Sequence, residues 1–201
     1  RVATESTAVQ HCLVRGQHHN QLPRRGGENS DRAVPQPDGQ LLTGVVFDVA
    51  KNEIFWAETG RGAWLEQRKL RVATRKKLPD SVIATGTPWH GKSEDAHALF
   101  AREMLAMTPA CAGIRRYGSA ALDLAWVAAG RFDGFWERNL KSWDIAAGIV
   151  LVREAGGHVA EIDGGDVMKT GSILAGNEDI VPQVQEQLRL ASAFARQAKI
   201  T

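Results

Sequence analysis

The sequence contains few cysteines and no long apolar segment, and both features narrow the class of protein. Only Cys12 and Cys111 occur among its 201 residues, which is too few for a disulfide framework and does not form a cysteine-based metal pattern. No apolar run approaches the ~18 residues of a membrane span, and no signal-peptide core is present. These absences predict a cytoplasmic protein with reduced thiols and no membrane insertion.

An excess of charge of either sign is also missing. The chain has 25 Lys and Arg against 23 Asp and Glu, a formal net charge of +2, which makes a nucleic-acid partner unlikely. Hydrophobic residues make up 43% of the chain and charged residues 24%. These proportions are typical of a globular protein that can bury a core.

The most informative segment that is present begins at Trp143 and Asp144. Residues 145–152 are apolar on nearly all sides, which predicts a buried helix that ends at Gly156 or Gly157. Asp144 falls in the first turn, where unpaired backbone N–H groups and the helix dipole favour negative charge. A carboxylate there can bind a cation, and the same helix end attracts phosphate. A role as a helix cap alone is the open alternative.

The segments around this helix carry a family resemblance. Residues 143–157 follow the pattern W-D-x-A-A-G-x-x-L-x-x-E-A-G-G, preceded by residues 115–125 and 130–137. Together they resemble the inositol monophosphatase family, including its bacterial extragenic-suppressor type. Residues 44–65 resemble the family's hairpin and residues 172–177 its last strand, so the resemblance covers about 39–190.

The resemblance implies both a fold and a site. The fold is an α/β protein, a layered α/β/α/β/α sandwich that is incomplete at its N-terminal side in this chain. The implied activity is Mg²⁺-dependent hydrolysis of a small polyol phosphate such as inositol monophosphate. Asp144 is implied as catalytic residue, magnesium ligand and substrate contact, and Glu137 as the acceptor of ring hydroxyls. Gly118, Ser119 and Ala120 are implied to line the substrate pocket; packing at a helix start is the alternative for them, and a surface acid the alternative for Glu137.

Two further acids receive structural interpretations. Asp123 lies inside the predicted helix 119–129, and we expect it to make a structural hydrogen bond rather than to bind a ligand. Asp133 precedes Gly134 in a predicted strand, and we expect it to face solvent or a partner.

The family's earlier metal loop has no counterpart in the sequence. That loop reads D-P-[LI]-D-G-T, and no Asp-Pro-Xaa-Asp-Gly run occurs here. Residues 1–38 show no helical or alternating apolar period, so we interpret them as a non-homologous or disordered leader and residues 39–201 as a partial domain. A shifted reading frame is one hypothesis, because the codons of residues 18–22, displaced by one base, can encode Thr-Thr-Thr-Asn-Phe. Divergence or a domain deletion is the competing explanation.

The predicted elements alternate between strands and helices after two initial hairpins, which favours a layered α/β architecture. Predicted strands are 41–48, 53–58, 62–65, 69–72, 81–85, 112–116, 132–136, 158–162 and 172–175; predicted helices are 93–107, 119–129, 144–154 and 178–194.

Three functional hypotheses remain open at this stage. The first is a phosphomonoesterase whose missing acids come from the unassigned beginning or from a second subunit, as in a homodimer. The second is a non-catalytic interaction protein, as the suppressor-type relatives suggest through their links to transcription. The third is a truncated or frameshifted product whose uncovered strand faces cause aggregation or dimerisation. One carboxylate binds Mg²⁺ weakly, so we predict that catalysis is impaired or absent.

Overall fold

A first, antiparallel sheet of six strands forms one side of the molecule. The computed structural model describes residues 11–12, 30–35 and 41–197. The strands follow one another in chain order across this sheet. They are β1 His11–Cys12, β2 Ser30–Pro35, β3 Leu41–Asp48, β4 Glu53–Glu58, β5 Gly62–Leu65 and β6 Arg68–Lys69.

Burial alternates along the middle strands of this sheet, as expected for strands with one covered face. Gly44, Val46 and Asp48 of β3 are buried, whereas Val45 and Phe47 between them are half-buried. Gly44 is required by close packing, because a Cβ there would lie 2.5 Å from the carbonyl oxygen of Ala147. The buried face therefore packs directly against helix backbone.

The second sheet has five strands in the order β10-β11-β9-β7-β8. Its strands β7, β8 and β9 are parallel, and β10 and β11 are antiparallel additions. The bounds are β7 Val82–Thr85, β8 Gly113–Arg115, β9 Gly134–Glu137, β10 His158–Glu161 and β11 Ile173–Gly176.

Five α-helices connect these strands within the described ranges. They are α1 Glu94–Met107, α2 Ala120–Ala128, α3 Ser142–Glu154, α4 Val167–Thr170 and α5 Ile180–Gln197; a short 3-10 helix spans Leu78–Asp80. The predicted cap of α1 is confirmed, since the Ser93 hydroxyl accepts a hydrogen bond from the Ala96 amide. The sequence pattern did not predict α4 or β2.

The layers are sheet, helices, sheet, helices. Helices α2 and α3 lie between the two sheets, and α1 packs with α5 on the outer side of the second sheet. One core cluster joins the first sheet to α2 and α3, and a second joins the second sheet to α1 and α5. This arrangement agrees with the predicted sandwich, with helices on only one face of the first sheet among the described residues.

The C-terminal end of α3 is joined to the first sheet by charge. Both carboxylate oxygens of Glu154 accept hydrogen bonds from backbone amides of the turn between β4 and β5, from Gly60 at 3.0 Å and from Gly62 at 2.8 Å. The Glu154 position of the family pattern thus has a structural function here.

The predicted leader, residues 1–38, lies largely outside the described residues. Within it, Ser30–Pro35 forms β2 and pairs with β3. The hypothesis of a shifted frame concerns residues 18–22, which lie outside the described ranges. No described helix is long and apolar enough to cross a membrane.

Candidate functional site

The carboxyl ends of two parallel strands and the starts of two helices meet at one place. Strands β7 and β9 are parallel neighbours, with Thr85 opposite Trp136, so Gly86 and Glu137 leave the sheet side by side. Helix α2 packs against β9 and against α3, and the charges of Asp123 in α2 and Asp144 in α3 both raise the pKa of Glu137. Ligands bind preferentially at the carboxyl ends of parallel strands.

Glu137 is the central acid of this group. Its pKa is raised to about 8, first by burial and then by the charges of Asp123 and Asp144, while Arg116 and Lys92 act in the opposite direction. Its carboxylate packs so closely on Gly86 that a Cβ at that position would collide with it. A carboxyl that holds its proton near neutral pH can both donate to and accept from a ligand hydroxyl.

Asp144 lies in the first turn of α3 and forms hydrogen bonds with the residue that precedes the helix. Its Oδ2 accepts a hydrogen bond from the Lys141 amide at 2.9 Å, and its own amide donates to the Lys141 carbonyl. The other carboxylate oxygen makes no hydrogen bond within the described part of the chain. Burial is the first cause of the raised pKa of Asp144, and the Lys141 amide opposes it. The helix-cap role considered for Asp144 is therefore present, and one oxygen remains for a ligand.

The predicted Gly118, Ser119 and Ala120 segment forms the start of α2. Gly118 has a φ of +83°, a conformation that favours glycine. Ser119 is the N-cap residue, yet its hydroxyl does not cap the helix. The first amides of α2 therefore lack an intrahelical partner, and the Ser119 hydroxyl does not compete for them.

Asp123 differs from its sequence-based interpretation. Its side chain is fully buried, and neither carboxylate oxygen has a hydrogen-bond partner. Burial raises its pKa to about 7, against the opposing effects of Arg116 and the Ser119 amide, which does not reach hydrogen-bond geometry. The expected structural hydrogen bond was wrong, because the surrounding positions of α2 are apolar and face the core.

Asp133 also differs from expectation. We expected it to face solvent or a partner, but it is buried and accepts hydrogen bonds from the Val82 amide at 2.8 Å and from Arg75 at 3.1 Å. It lies just before β9, where it joins that strand to β7. Its function is structural.

Two cations near the acids were not singled out from the sequence. Arg116 is exposed and approaches Gly118, with its Cζ 3.3 Å from the position of a Cβ there. Lys92 lies in the loop that follows β7 and is half-buried. The sequence offered one signal for these cations, which is Asp123 alone in a run of apolar helix residues. A buried acid requires a counter-charge or a proton, so a cation can be expected near it.

The described residues do not complete a magnesium site. No three His, Cys, Asp or Glu side chains within the described ranges come together in a way that could hold a metal ion. The acids themselves are the hard oxygen donors that Mg²⁺ prefers. One carboxylate oxygen of Asp144 already accepts a hydrogen bond from the Lys141 amide, and Asp123 is buried in the core. These acids by themselves therefore do not fit a bound magnesium ion.

Comparisons with known proteins agree with the fold. The model of the inositol monophosphatase family matches residues 34–197. The inositol-1-monophosphatase of Caulobacter vibrioides is 45% identical over 181 residues, which cover 84% of this chain and 70% of that protein. The Nus factor SuhB of Escherichia coli is 44% identical over 161 residues, covering 79% of this chain and 60% of that protein.

Solved structures give the same result. The extragenic suppressor protein suhB from Bartonella henselae superposes with a TM-score of 0.75 at 44% identity, covering 80% of this chain and 61% of that chain. The chain spans between 53% and 70% of the length of the inositol-1-monophosphatases that it matches.

Proposed function

Since this chain belongs to the inositol monophosphatase family, we propose that it binds a small phosphorylated polyol at the meeting point of β9, α2 and α3. The reaction class is hydrolysis of a phosphoric monoester, with inositol monophosphate as the reference substrate. The observation that carries this proposal is the Glu137 carboxyl at the end of β9, which packs on Gly86 at the end of the neighbouring strand β7 and interacts with the charges of Asp123 in α2 and Asp144 in α3.

The phosphate of the ligand is proposed to lie at the start of α2. Amides that lack intrahelical partners and the positive end of the helix dipole favour an anion there. Gly118 allows the backbone of that turn to approach the ligand, and Ser119 and Ala120 supply small side chains beside it. Arg116 is exposed next to Gly118 and adds a positive charge on the same side.

The polyol is proposed to lie against Glu137. A carboxyl with a pKa of about 8 keeps its proton at neutral pH, so it can donate one hydrogen bond and accept others from hydroxyl groups. Asp144 would contact the ligand through the oxygen that its own helix does not engage. This arrangement favours a ligand with several hydroxyls.

Magnesium is the cofactor that the family resemblance implies, and Asp144 is the residue we propose as its ligand here. The described residues do not complete an ion site, and the sequence contains no Asp-Pro-Xaa-Asp-Gly loop. We therefore infer that the chain by itself binds the ligand better than it turns it over. Acids from the first 38 residues or from a second copy would be needed for full activity.

The test separates binding from turnover. Isothermal titration with inositol 1-phosphate at saturating Mg²⁺ is expected to show binding that Glu137→Ala weakens by about tenfold, the effect of losing the hydrogen bonds to the ligand hydroxyls. Glu178→Ala is the matched control, because Glu178 is exposed and precedes α5. Phosphate release by the chain should stay far below that of an intact relative. No measurable binding by the unaltered chain would refute the proposal, and turnover equal to a relative's would refute the impairment.

A non-catalytic interaction function is the second candidate. The 44% identity with proteins named Nus factor SuhB, together with the incomplete ion site, favours it. In that case, partner binding should survive Asp144→Asn. Retention of transcription-complex proteins that is equal for the unaltered chain and the variant would support this candidate, and a loss in the variant would contradict it.

Three further properties stay predictions of the same proposal. We infer a cytoplasmic protein, a domain over residues 39–201 that follows a non-homologous or disordered leader and to which Ser30–Pro35 of that leader adds a strand, and a homodimer. No described helix covers the outer face of the first sheet, where Trp56 and Trp64 stack with ring centroids 5.7 Å apart, and this supports self-association. Sedimentation velocity that yields a monomer at all concentrations would rule out the dimer.

A further inference from the structure

The loop between β7 and α1, residues 86–92, borders the site, and the proposed function assigns no role to it. It begins at Gly86, which packs against the Glu137 carboxylate. It ends at Lys92, which is half-buried and whose charge acts to lower the pKa of Glu137. The loop therefore starts in contact with this carboxyl group and carries a positive charge that acts on it.

A tight turn brings an aromatic side chain to this position. The Lys92 amide donates a hydrogen bond to the Trp89 carbonyl at 2.9 Å, so Trp89 and Lys92 lie in one turn. Since Gly86, three residues before Trp89, contacts the Glu137 carboxylate, the turn lies at the rim of the site.

The Trp89 ring is held in place although it is exposed. The side chain is 55% exposed. Its indole packs so closely on Gly91 that a Cβ there would collide with it, and the His90 ring meets it edge to face with centroids 5.6 Å apart. An exposed indole that is fixed by its own turn gains nothing from burial in the core, so its contact surface is available to a ligand.

We propose that Trp89 is a specificity-determining residue of the site, which stacks on the C–H face of a cyclic polyol whose hydroxyls bind Glu137. This inference rests on the proposed function and narrows its substrate class from polyol phosphates in general to ring-shaped ones. A ring presents an apolar face of axial C–H groups that an indole can cover, whereas an open-chain polyol has no such face. Aromatic side chains with a few polar groups are the usual lining of small-molecule sites.

The experiment compares two phosphate esters on the full chain. Affinity for inositol 1-phosphate, a cyclic ligand, and for glycerol 2-phosphate, an acyclic one, is measured by titration calorimetry for the unaltered chain, Trp89→Ala and Trp89→Phe. We expect Trp89→Ala to weaken the cyclic ligand by between about threefold and about tenfold and the acyclic ligand by less than about twofold. Trp89→Phe, which keeps an aromatic face, should restore most of the loss.

The controls separate stacking from other effects. Leu105→Ala removes a side chain that is 76% exposed on α1 and should leave both affinities unchanged. Trp143, which is 54% exposed beside Asp144, is the other exposed indole that a ring could stack on. Trp143→Ala should weaken the cyclic ligand less than Trp89→Ala does. Thermal unfolding of each variant shows whether it is folded.

The outcomes distinguish a failure of the stacking role of Trp89 from a failure of the proposed function. If the unaltered chain binds inositol 1-phosphate and a folded Trp89→Ala binds both esters as tightly, this inference is overturned and the proposed function survives. Equal loss for both esters also overturns it, because stacking on a ring cannot affect an open chain. If the unaltered chain binds neither ester, the proposed function itself fails.

Discussion

The acidic side chains at the two ends of the α2–α3 pair have opposite environments. At the C-terminal end, Glu154 binds two backbone amides and Asp133, just after α2, binds an amide and Arg75. At the N-terminal end, Asp123 has no hydrogen-bond partner and Glu137 lies among charges of its own sign. The same residue types therefore stabilise the fold at one end and are held at a cost at the other.

This difference separates structural acids from candidate functional ones. A buried carboxylate with its hydrogen bonds satisfied contributes to stability, whereas an unsatisfied one raises its pKa and lowers stability. Perturbed acids cluster at functional sites. The contrast can be tested by removing acids from either end.

The largest effect is expected at Asp133. Replacing it by Ala leaves the Val82 amide without a partner and Arg75 without its counter-charge, and buried acids of this kind contribute about 2–4 kcal/mol. Urea unfolding should show this loss in the free energy of unfolding. Asp80→Ala, at an exposed position, is the control, and a similar loss in both variants would contradict the argument.

Glu154 is expected to contribute about 2 kcal/mol through its two charge-assisted hydrogen bonds. Glu154→Ala should lower the free energy of unfolding by this amount, and Glu154→Gln, which keeps one acceptor oxygen, by about half. If both variants are as stable as the unaltered chain, the turn between β4 and β5 does not depend on this acid.

At the opposite end, removal of an acid is expected to stabilise the protein. The pKa of Asp123 is about 7 in the folded chain against an ordinary 3.8, so the folded state holds a proton that the unfolded state has lost between these values. Stability from this group is present below about pH 4 and is lost as the pH rises through 7. Asp123→Asn should therefore raise the free energy of unfolding by about 1–2 kcal/mol at pH 8 and by much less at pH 4. Equal effects at both pH values would show that Asp123 is satisfied in solution.

Glu137 should change the free energy of unfolding with pH in the same direction as Asp123, with a midpoint at a higher pH. Its pKa is raised from 4.5 to about 8, so the unaltered chain should lose stability as the pH rises from 5 to 8, and Glu137→Gln should flatten that slope. A cation that binds beside Asp123 and Glu137 would favour their charged forms and lower the pKa of both. Added Mg²⁺ should therefore stabilise the unaltered chain more at pH 8 than at pH 5. Thermal unfolding as a function of pH, with and without Mg²⁺, measures both effects.

The smallest stability effect is expected at Asp144. Asp144→Asn keeps the hydrogen bond from Lys141 and removes only a charge at a helix start, which costs about 0.3–1 kcal/mol. Its uptake of Mg²⁺ should fall much more strongly in titration calorimetry, with Asp80→Asn as the control. Identical uptake by the unaltered chain and Asp144→Asn would leave only the helix-cap function.

Much of the fold follows from local patterns. The hairpin of β3 and β4, the capped helix α1 and the buried helix α3 were predicted within a few residues, because apolar periodicity and turn residues act over short distances. The strand β2 could not be predicted, since its polar sequence is held by pairing with β3 and not by its own composition. Helix α4 has only four residues, too few to show a period.

The site was predictable only in part. The resemblance implied Glu137, Asp144 and Gly118 as site residues, and the structure has them at the end of β9, in the first turn of α3 and just before α2; their roles stay predictions. Asp123 and Asp133 were interpreted in the wrong sense because the sequence does not reveal which amides and cations surround an acid. The loop that carries Trp89 and Lys92 lies far from these residues along the chain, and only the pairing of β7 with β9 brings its first residue, Gly86, to Glu137.

The sequence alone determined the family, the order of the elements and the presence of an acid at the start of a buried helix, because these depend on local patterns and on motif spacing. The tertiary structure decided which acids are paired and which are crowded, and therefore where the candidate site lies. The physical reason is that the charge state of a buried carboxyl depends on burial and on neighbours from distant segments, which are fixed only when the sheets and helices pack.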